Sequence, residues 1–287
     1  MKLPFEEIKK EIIVKKEVET DEKYGSKPKE RPTKEIINYG IVNIDKPSGP
    51  SSHQVSDYLQ KILNIDKAGH SGTLDPKVTG VLPIALGRAT KVVEYLLKAG
   101  KEYIAIMHLH KPVEEKLVKK IFKEFTGKIS QLPPVKSSVK RQERTRTIYY
   151  MEILEIEKQD VLFKVGCEAG TYIRKLCHDI GKKLEVGAHM AELRRTKAGI
   201  FEESEAITIY DLEKILTLQK LNKKEGLEPI KEELKRVIIP AEEALQEIMK
   251  RFDIRINKER LKEMIEQAER EKYEKLGNLI GSRKGKK

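Results

Sequence analysis

Two hydrophobic periods run through this chain. Residues 40–44 (Gly-Ile-Val-Asn-Ile) make a short apolar run, closed by the turn residues Asp45-Lys-Pro-Ser-Gly-Pro50, which predicts a strand and a turn. Ser51 or Ser52 then caps a predicted helix with Val55, Leu59, Ile62 and Leu63 on one stripe. A second helix is predicted over 89–99, with Val92, Val93, Leu96 and Leu97 inward and Gly100 as its stop. From Tyr103 to His110 the period changes to two. Tyr103, Ala105, Met107 and Leu109 face one way, and Ile104, Ile106, His108 and His110 the other. Residues 113–125 read as a helix, and 148–156 and 161–167 as paired strands. Residues 171–184 read as a helix burying Ile173, Leu176, Cys177, Ile180 and Leu184. Strands and helices mix without a regular β-α-β beat, which predicts an α+β fold.

This pattern defines a body over 40–245. Residues 1–39 form a charged extension whose stretch from Thr20 to Thr33 is polar and broken by Gly25, Pro28 and Pro32, as in an arm or linker. Residues 246–287 read as a charged helical tail with the basic end Ser282-Arg-Lys-Gly-Lys-Lys287.

Charge narrows the partners. With 58 Lys and Arg against 46 Asp and Glu, the net charge is +12, and 36% of residues are charged. Ion-pair networks of a heat-adapted protein account for the high total. The imbalance favours a polyanion, nucleic acid first. Cys167 and Cys177 are the only cysteines and make no Cys-x-x-Cys, which argues against structural zinc or a disulfide framework and fits a reducing cytosol. No apolar run reaches the ~18 residues that span a membrane. The chain therefore reads as soluble and cytoplasmic, with no membrane partner.

Five features carry candidate chemistry. In Ala68-Gly-His-Ser-Gly-Thr-Leu-Asp-Pro-Lys-Val78, Gly69 and Gly72 allow close approach of another chain, and Pro76 restricts the backbone of Asp75. A carboxylate pinned beside His70 points to chemistry; the plain alternative is an Asp-Pro turn. Lys136-Ser-Ser-Val-Lys-Arg-Gln-Glu-Arg-Thr-Arg146 holds five basic residues and one acid, and reads as an exposed loop whose Lys136, Lys140, Arg141, Arg144 and Arg146 contact RNA or DNA phosphates; the plain alternative is a solvated face. Gly170-Thr-Tyr-Ile-Arg174 opens a helix, and Arg174, away from the apolar stripe, is either a surface arginine or the partner of a buried carboxylate such as Asp75. Tyr103, at a strand start, is either a core residue or an exposed platform on which a base stacks, worth ~1–3 kcal/mol. His108 and His110 share a strand face without a third ligand at metal-site spacing, so no metal site is expected; His178 and His189 read as structural.

Taken in order, Gly40-Ile-Val-Asn-Ile-Asp-Lys-Pro-Ser-Gly-Pro50, Ala68 to Pro76 with Thr79-Gly-Val-Leu-Pro83, Lys101-Glu-Tyr103, Gly170 to Arg174 and Gly187-Ala-His-Met-Ala-Glu-Leu-Arg-Arg195 resemble the TruB family of RNA pseudouridine synthases. Val135 to Arg141, Arg144-Thr-Arg146 and Tyr149-Tyr150 resemble its archaeal and eukaryotic RNA-guided branch, the dyskerin type. The resemblance implies a pseudouridine synthase fold with a mixed, largely antiparallel sheet. It implies that Asp75 is the catalytic aspartate and Arg174 its partner. Tyr103 would stack on the target uracil, Tyr172 and Leu193 line the pocket, and His70 help hold the extruded nucleotide. The reaction breaks the uridine glycosidic bond and rejoins the base through carbon 5, with no metal or organic cofactor. Implied partners are the RNA substrate (rRNA or tRNA), a box H/ACA guide RNA and small accessory proteins. The alternatives are a stand-alone tRNA synthase and a non-catalytic RNA scaffold. In that branch a PUA domain follows Ile238-Ile-Pro-Ala-Glu-Glu243; here 44 residues follow Glu243, and no complete PUA domain is evident in them.

Overall fold

The computed structural model describes Leu3 and residues 28–133, 142–221 and 228–245. The chain divides into units 1–252 and 253–287, and every described residue lies in the first. Most of the N-terminal arm, the expected loop residues Lys136, Lys140 and Arg141, and the tail from 246 lie outside the described residues.

The elements are α1 (Thr33–Asn38), β1 (Gly40–Lys46), α2 (Ser52–Leu63), β2 (Ala68–His70), β3 (Thr79–Leu86), α3 (Val93–Lys98), β4 (Lys101–Leu109), α4 (Glu115–Glu124) and β5 (Gly127–Gln131). They continue as β6 (Arg144–Glu157), β7 (Asp160–Cys167), α5 (Ile173–Lys183), β8 (Ala188–Ala198), β9 (Phe201–Glu202), β10 (Ile207–Thr208), α6 (Ile209–Leu221), α7 (Glu228–Val237) and β11 (Ile238–Pro240). The strands join one sheet in the order β10-β1-β3-β8-β4-β7-β6-β5, with β11 on β1, β2 on β3 and β9 on β8. Only β1–β10 and β3–β8 pair in parallel. This is the expected mixed, largely antiparallel α+β sheet.

The central strands are apolar on both faces because helices cover both. Val42, Ile44, Leu82, Ile84 and Leu86 pack into the main core with α2, α4, α5, α6 and α7. Ile41, Val81 and Ala85 point the other way, toward Ala89, Leu96, Phe201 and Ala241. Ser51 caps α2 through a full capping box with Gln54, as its sequence predicts. The alternation in β4 and the buried stripe of α5 fall as expected.

Three expectations are corrected. The helix over 89–99 is a 3₁₀ turn over Gly87–Val92 followed by α3, and Leu97 is exposed rather than inward. Its end is not a glycine stop: Ala99 is extended, and the buried Lys101 Nζ donates to the carbonyls of Leu96, Leu97 and Ala99 at 3.3, 2.8 and 2.6 Å. Arg144 to Arg146 are not loop but the start of β6, paired with Gln131, Ser130 and Ile129 of β5. β8 carries no alternating apolar signal, yet it sits mid-sheet; Arg195, Thr196 and Lys197 bond to β3, β4 and β9. No helix among the described residues is long and apolar enough to cross a membrane.

Candidate active site

Asp75 lies in the β2–β3 connection, and that connection is held by its main chain. The buried Ser52 hydroxyl, at the start of α2, accepts from the Leu74 N–H at 2.8 Å and donates to the Leu74 carbonyl at 3.1 Å. Lys46, fully buried at the end of β1, donates to the carbonyls of Pro47, Pro76 and Val78 at 2.9, 2.9 and 2.8 Å. The Gly49 N–H donates to the Pro76 carbonyl, and the Val78 N–H to the Asp75 carbonyl, both at 2.9 Å. Arg195 reaches the Gly72 carbonyl at 3.3 Å. Close approach is not what Gly72 provides, since a Cβ there would meet nothing nearer than 3.8 Å; its φ of +131° is what excludes other residues. At Gly80 the reverse holds: a Cβ would lie 2.2 Å from the Arg195 carbonyl, where β3 meets β8.

With the backbone fixed, the Asp75 carboxylate stays 52% exposed, and Arg174 Nη2 donates to its Oδ2 at 2.5 Å. The pairing is as expected; its burial is not, because the Arg174 side chain is itself 61% exposed. Arg174 is the second residue of α5. Its approach is set by the buried Gln131, whose Oε1 accepts from the Tyr172 N–H at 3.0 Å and whose Nε2 donates to the Tyr172 carbonyl at 3.1 Å. Tyr172, half-buried, therefore stands next to Arg174 in a fixed frame.

Tyr103 is only 8% exposed, and sits in the core rather than standing free at the strand start. It pairs across the strands with the buried Arg195, and burial raises its pKa. Leu193 lies on β8 opposite Ala105, two residues from Arg195, so Tyr103 and Leu193 share one face of the sheet. His70, in β2, is half-buried; its Nδ1 is buried without a hydrogen-bond partner, and burial with the nearby Arg195 charge lowers its pKa. Arg146 spans the gap to the Gly170 loop: its Nη1 lies 3.6 Å from Glu168, and its guanidinium packs over Gly170. Arg144 is half-buried on β6.

Sequence reasoning missed Lys46, Lys101 and Arg195, because long cations read as surface residues. Burial lowers the pKa of Lys46 and brings Lys101 down to about 7, with the Arg195 charge adding to both shifts. The sequence signal was position: each cation adjoins a turn or bulge in one of the five motifs. Arg194, also missed, forks onto Asp45 with two bonds of 3.0 Å and joins β8 to β1.

The histidines also meet. His189 brings a third imidazole to His108 and His110, with His110 Nε2 and His189 Nδ1 2.9 Å apart and His108 Nδ1 2.7 Å from Asp160. Among the described residues, no group of three ligating residues is placed to hold a metal ion. Two clefts, of about 520 Å³ beside His110 and about 460 Å³ beside Arg194, include neither Asp75 nor Arg174 in their lining. The Asp75 site is a surface site, accessible to a macromolecule. A half-exposed carboxylate on a rigid loop, with a cation at hydrogen-bond distance and an apolar wall nearby, suits acid–base or nucleophilic work on a ring and sugar.

Comparison with known proteins agrees with that geometry. The profile of the TruB family pseudouridylate synthase N-terminal domain matches residues 60–173, that of the tRNA pseudouridylate synthase B C-terminal domain matches 174–246, and a DKCLD domain matches 2–56. The chain is 54% identical over 254 residues to "Probable tRNA pseudouridine synthase B" of Methanopyrus kandleri, covering 88% of this chain and 73% of that protein. The protein of the same name in Pyrococcus horikoshii is 54% identical over 246 residues, covering 85% and 72%. Among solved structures, a Cbf5-Nop10-Gar1 complex aligns with a TM-score of 0.77 at 50% identity, over 85% of this chain and 73% of that one. An H/ACA RNP bound to a substrate RNA containing 2'-deoxyuridine aligns at 0.75 and 48%, with the same coverage. The chain belongs to the TruB family of RNA pseudouridine synthases.

Proposed function

We propose that Asp75 is the reacting carboxylate, and that this chain isomerises uridine in RNA as the catalytic subunit of a box H/ACA guide ribonucleoprotein. The observation that carries the reading is a carboxylate immobilised through its own main chain while its side chain stays open beside Arg174. Isomerisation breaks the bond from uracil N1 to the sugar and forms one from C5; C5 loses a proton and N1 gains one, with no oxidant or reductant. A uridine in folded RNA has to be extruded first, at a cost of a few kcal/mol. Tyr103, Tyr172 and Leu193 form the wall against which the extruded ring packs, and His70 holds its backbone. Asp75 acts at the sugar as nucleophile or general base. Arg174 fixes the carboxylate.

The body over 40–245 carries this chemistry, with 1–39 and 246–287 as appendages. Lys136, Lys140, Arg141, Arg144 and Arg146 hold RNA phosphates. The guide-dependent reading is supported by the 48–50% identity to chains solved in Cbf5 and H/ACA complexes. A stand-alone reading on tRNA is favoured by the names of the curated relatives. Release of tritium from uridine C5 separates them. The purified chain would be incubated with tRNA or an rRNA fragment, with and without guide RNA and accessory proteins. Release only with a matching guide is expected; release from tRNA by the chain alone supports the second reading.

A further inference from the structure

We infer that Arg195 is a positioning residue that locks the Tyr103 ring and the Asp75 loop into one frame. This rests on the reading of Asp75 as the reacting group and Tyr103 as its stacking neighbour. The Arg195 side chain is 1% exposed. Its Nε donates to the Val81 carbonyl on β3 at 2.6 Å and its Nη2 to the Gly72 carbonyl at 3.3 Å, and its place on β8 is directly opposite Tyr103 on β4. One guanidinium thus bonds the loop that carries Asp75 and the strand that follows it, from the position opposite Tyr103.

The backbone is shaped for this contact. At Lys101 and Glu102, β4 pairs with Ala198 and Lys197 of β8; the next residue, Tyr103, pairs with Arg195, so Thr196 is the extra residue of a bulge. An unbroken ladder would set Thr196 opposite Tyr103 instead. Bulges re-aim side chains, and this one puts Arg195 on the face of Tyr103. The displaced Thr196 hydroxyl donates to the buried Glu102 carboxylate at 2.8 Å, and the Tyr150 hydroxyl donates to the same carboxylate at 2.5 Å, which fixes the bulge. Gly80 lets β3 approach the Arg195 backbone. Among the described residues, Arg195 forms no ion pair with a carboxylate. A buried cation held by main-chain carbonyls is a poor way to fill a core, since an apolar side chain of similar volume avoids the desolvation. Its fork of donors is what an apolar residue lacks.

The test uses the full chain in whichever assembly gives turnover. It measures the single-turnover rate at saturating protein, and RNA Kd, for wild type, Arg195→Lys, Tyr103→Phe and the double variant. Lysine keeps the charge but loses the fork, so Arg195→Lys is expected to slow the step about 10–100-fold, the cost of a misplacement near 1 Å. RNA Kd should stay within about threefold. If the arginine works through the phenol, the double variant is no slower than Arg195→Lys within about threefold. Tyr103→Phe also removes the hydroxyl of the residue directly opposite Arg195, so amide exchange at residues 72–78 should quicken; this readout stands even if Arg195→Lys does not fold. A wild-type rate for Arg195→Lys, losses that multiply in the double variant, or unchanged exchange in Tyr103→Phe would each overturn the inference. Turnover surviving in Asp75→Asn would instead overturn the site reading on which it rests.

Discussion

Asp75 and Arg174 meet at 2.5 Å with both side chains more than half exposed. Exposed pairs contribute at most about 1 kcal/mol to stability, so what this pair provides is orientation. Arg174→Ala should therefore shift the unfolding free energy by less than about 1 kcal/mol while lowering turnover about 10²-fold or more, the usual cost of losing a positioned charge. Urea denaturation and tritium release on the same preparation check both halves; a large loss of stability with turnover intact would contradict the assignment. Both residues were legible in the sequence because each lies in a motif with its own local logic, an Asp-Pro turn and a helix start; their pairing was implied by the family resemblance, since the helix start alone equally suits a surface arginine. Tyr103 was half legible: its parity with Ala105 and Met107 pointed inward, and the structure buries it. Arg195 was not legible, because nothing local to Leu-Arg-Arg-Thr distinguishes a guanidinium buried on one strand from its neighbour Arg194, paired with Asp45.

The elements matter here for where they end. α3 stops where Lys101 gathers two of its carbonyls and that of Ala99 just beyond it, and Tyr103 follows two residues later. Burial, with the Arg195 charge beside it, brings Lys101 from 10.5 down to about 7 in the folded chain. Below pH 7 the lysine is charged whether folded or unfolded. Between about 7 and 10.5 the unfolded chain holds one more proton than the native one, so this group makes stability rise with pH. The rise is at most about 1.4 kcal/mol per pH unit. Lys101→Met removes that contribution. Urea denaturation from pH 6 to 9 should show the gap between wild type and variant widening in favour of wild type above pH 7; parallel curves would contradict it. Periodicity located α2, β4, α4, β7 and α5 because each buries one clear stripe. It missed β8, whose Glu192, Arg194, Arg195 and Lys197 mask the alternation, and it took the start of β6 for a loop because its charges are dense.

For the molecule as a whole, the +12 charge and the open site fit a polyanionic substrate. Replacing Lys140, Arg141, Arg144 and Arg146 by Ala should flatten the slope of log affinity against log salt by about 0.7–0.9 for each phosphate that is no longer neutralised. RNA binding across 50–200 mM salt reads this directly, and an unchanged slope would remove the segment from the interface. The α+β class was legible from the mixture of periods. The strand order was not, because its defining contacts join distant segments: β3 lies beside β8, and β4 between β8 and β7. Those long-range pairings set Tyr103 opposite Arg195, which reaches the loop of Asp75, while Asp75 itself meets Arg174. The most direct test of that convergence is tritium release from uridine C5 by the full chain in its active assembly, wild type against Asp75→Asn, with RNA binding measured in parallel. We predict that Asp75→Asn binds RNA as tightly as wild type and releases no tritium. Release by Asp75→Asn at a rate near wild type would contradict the account.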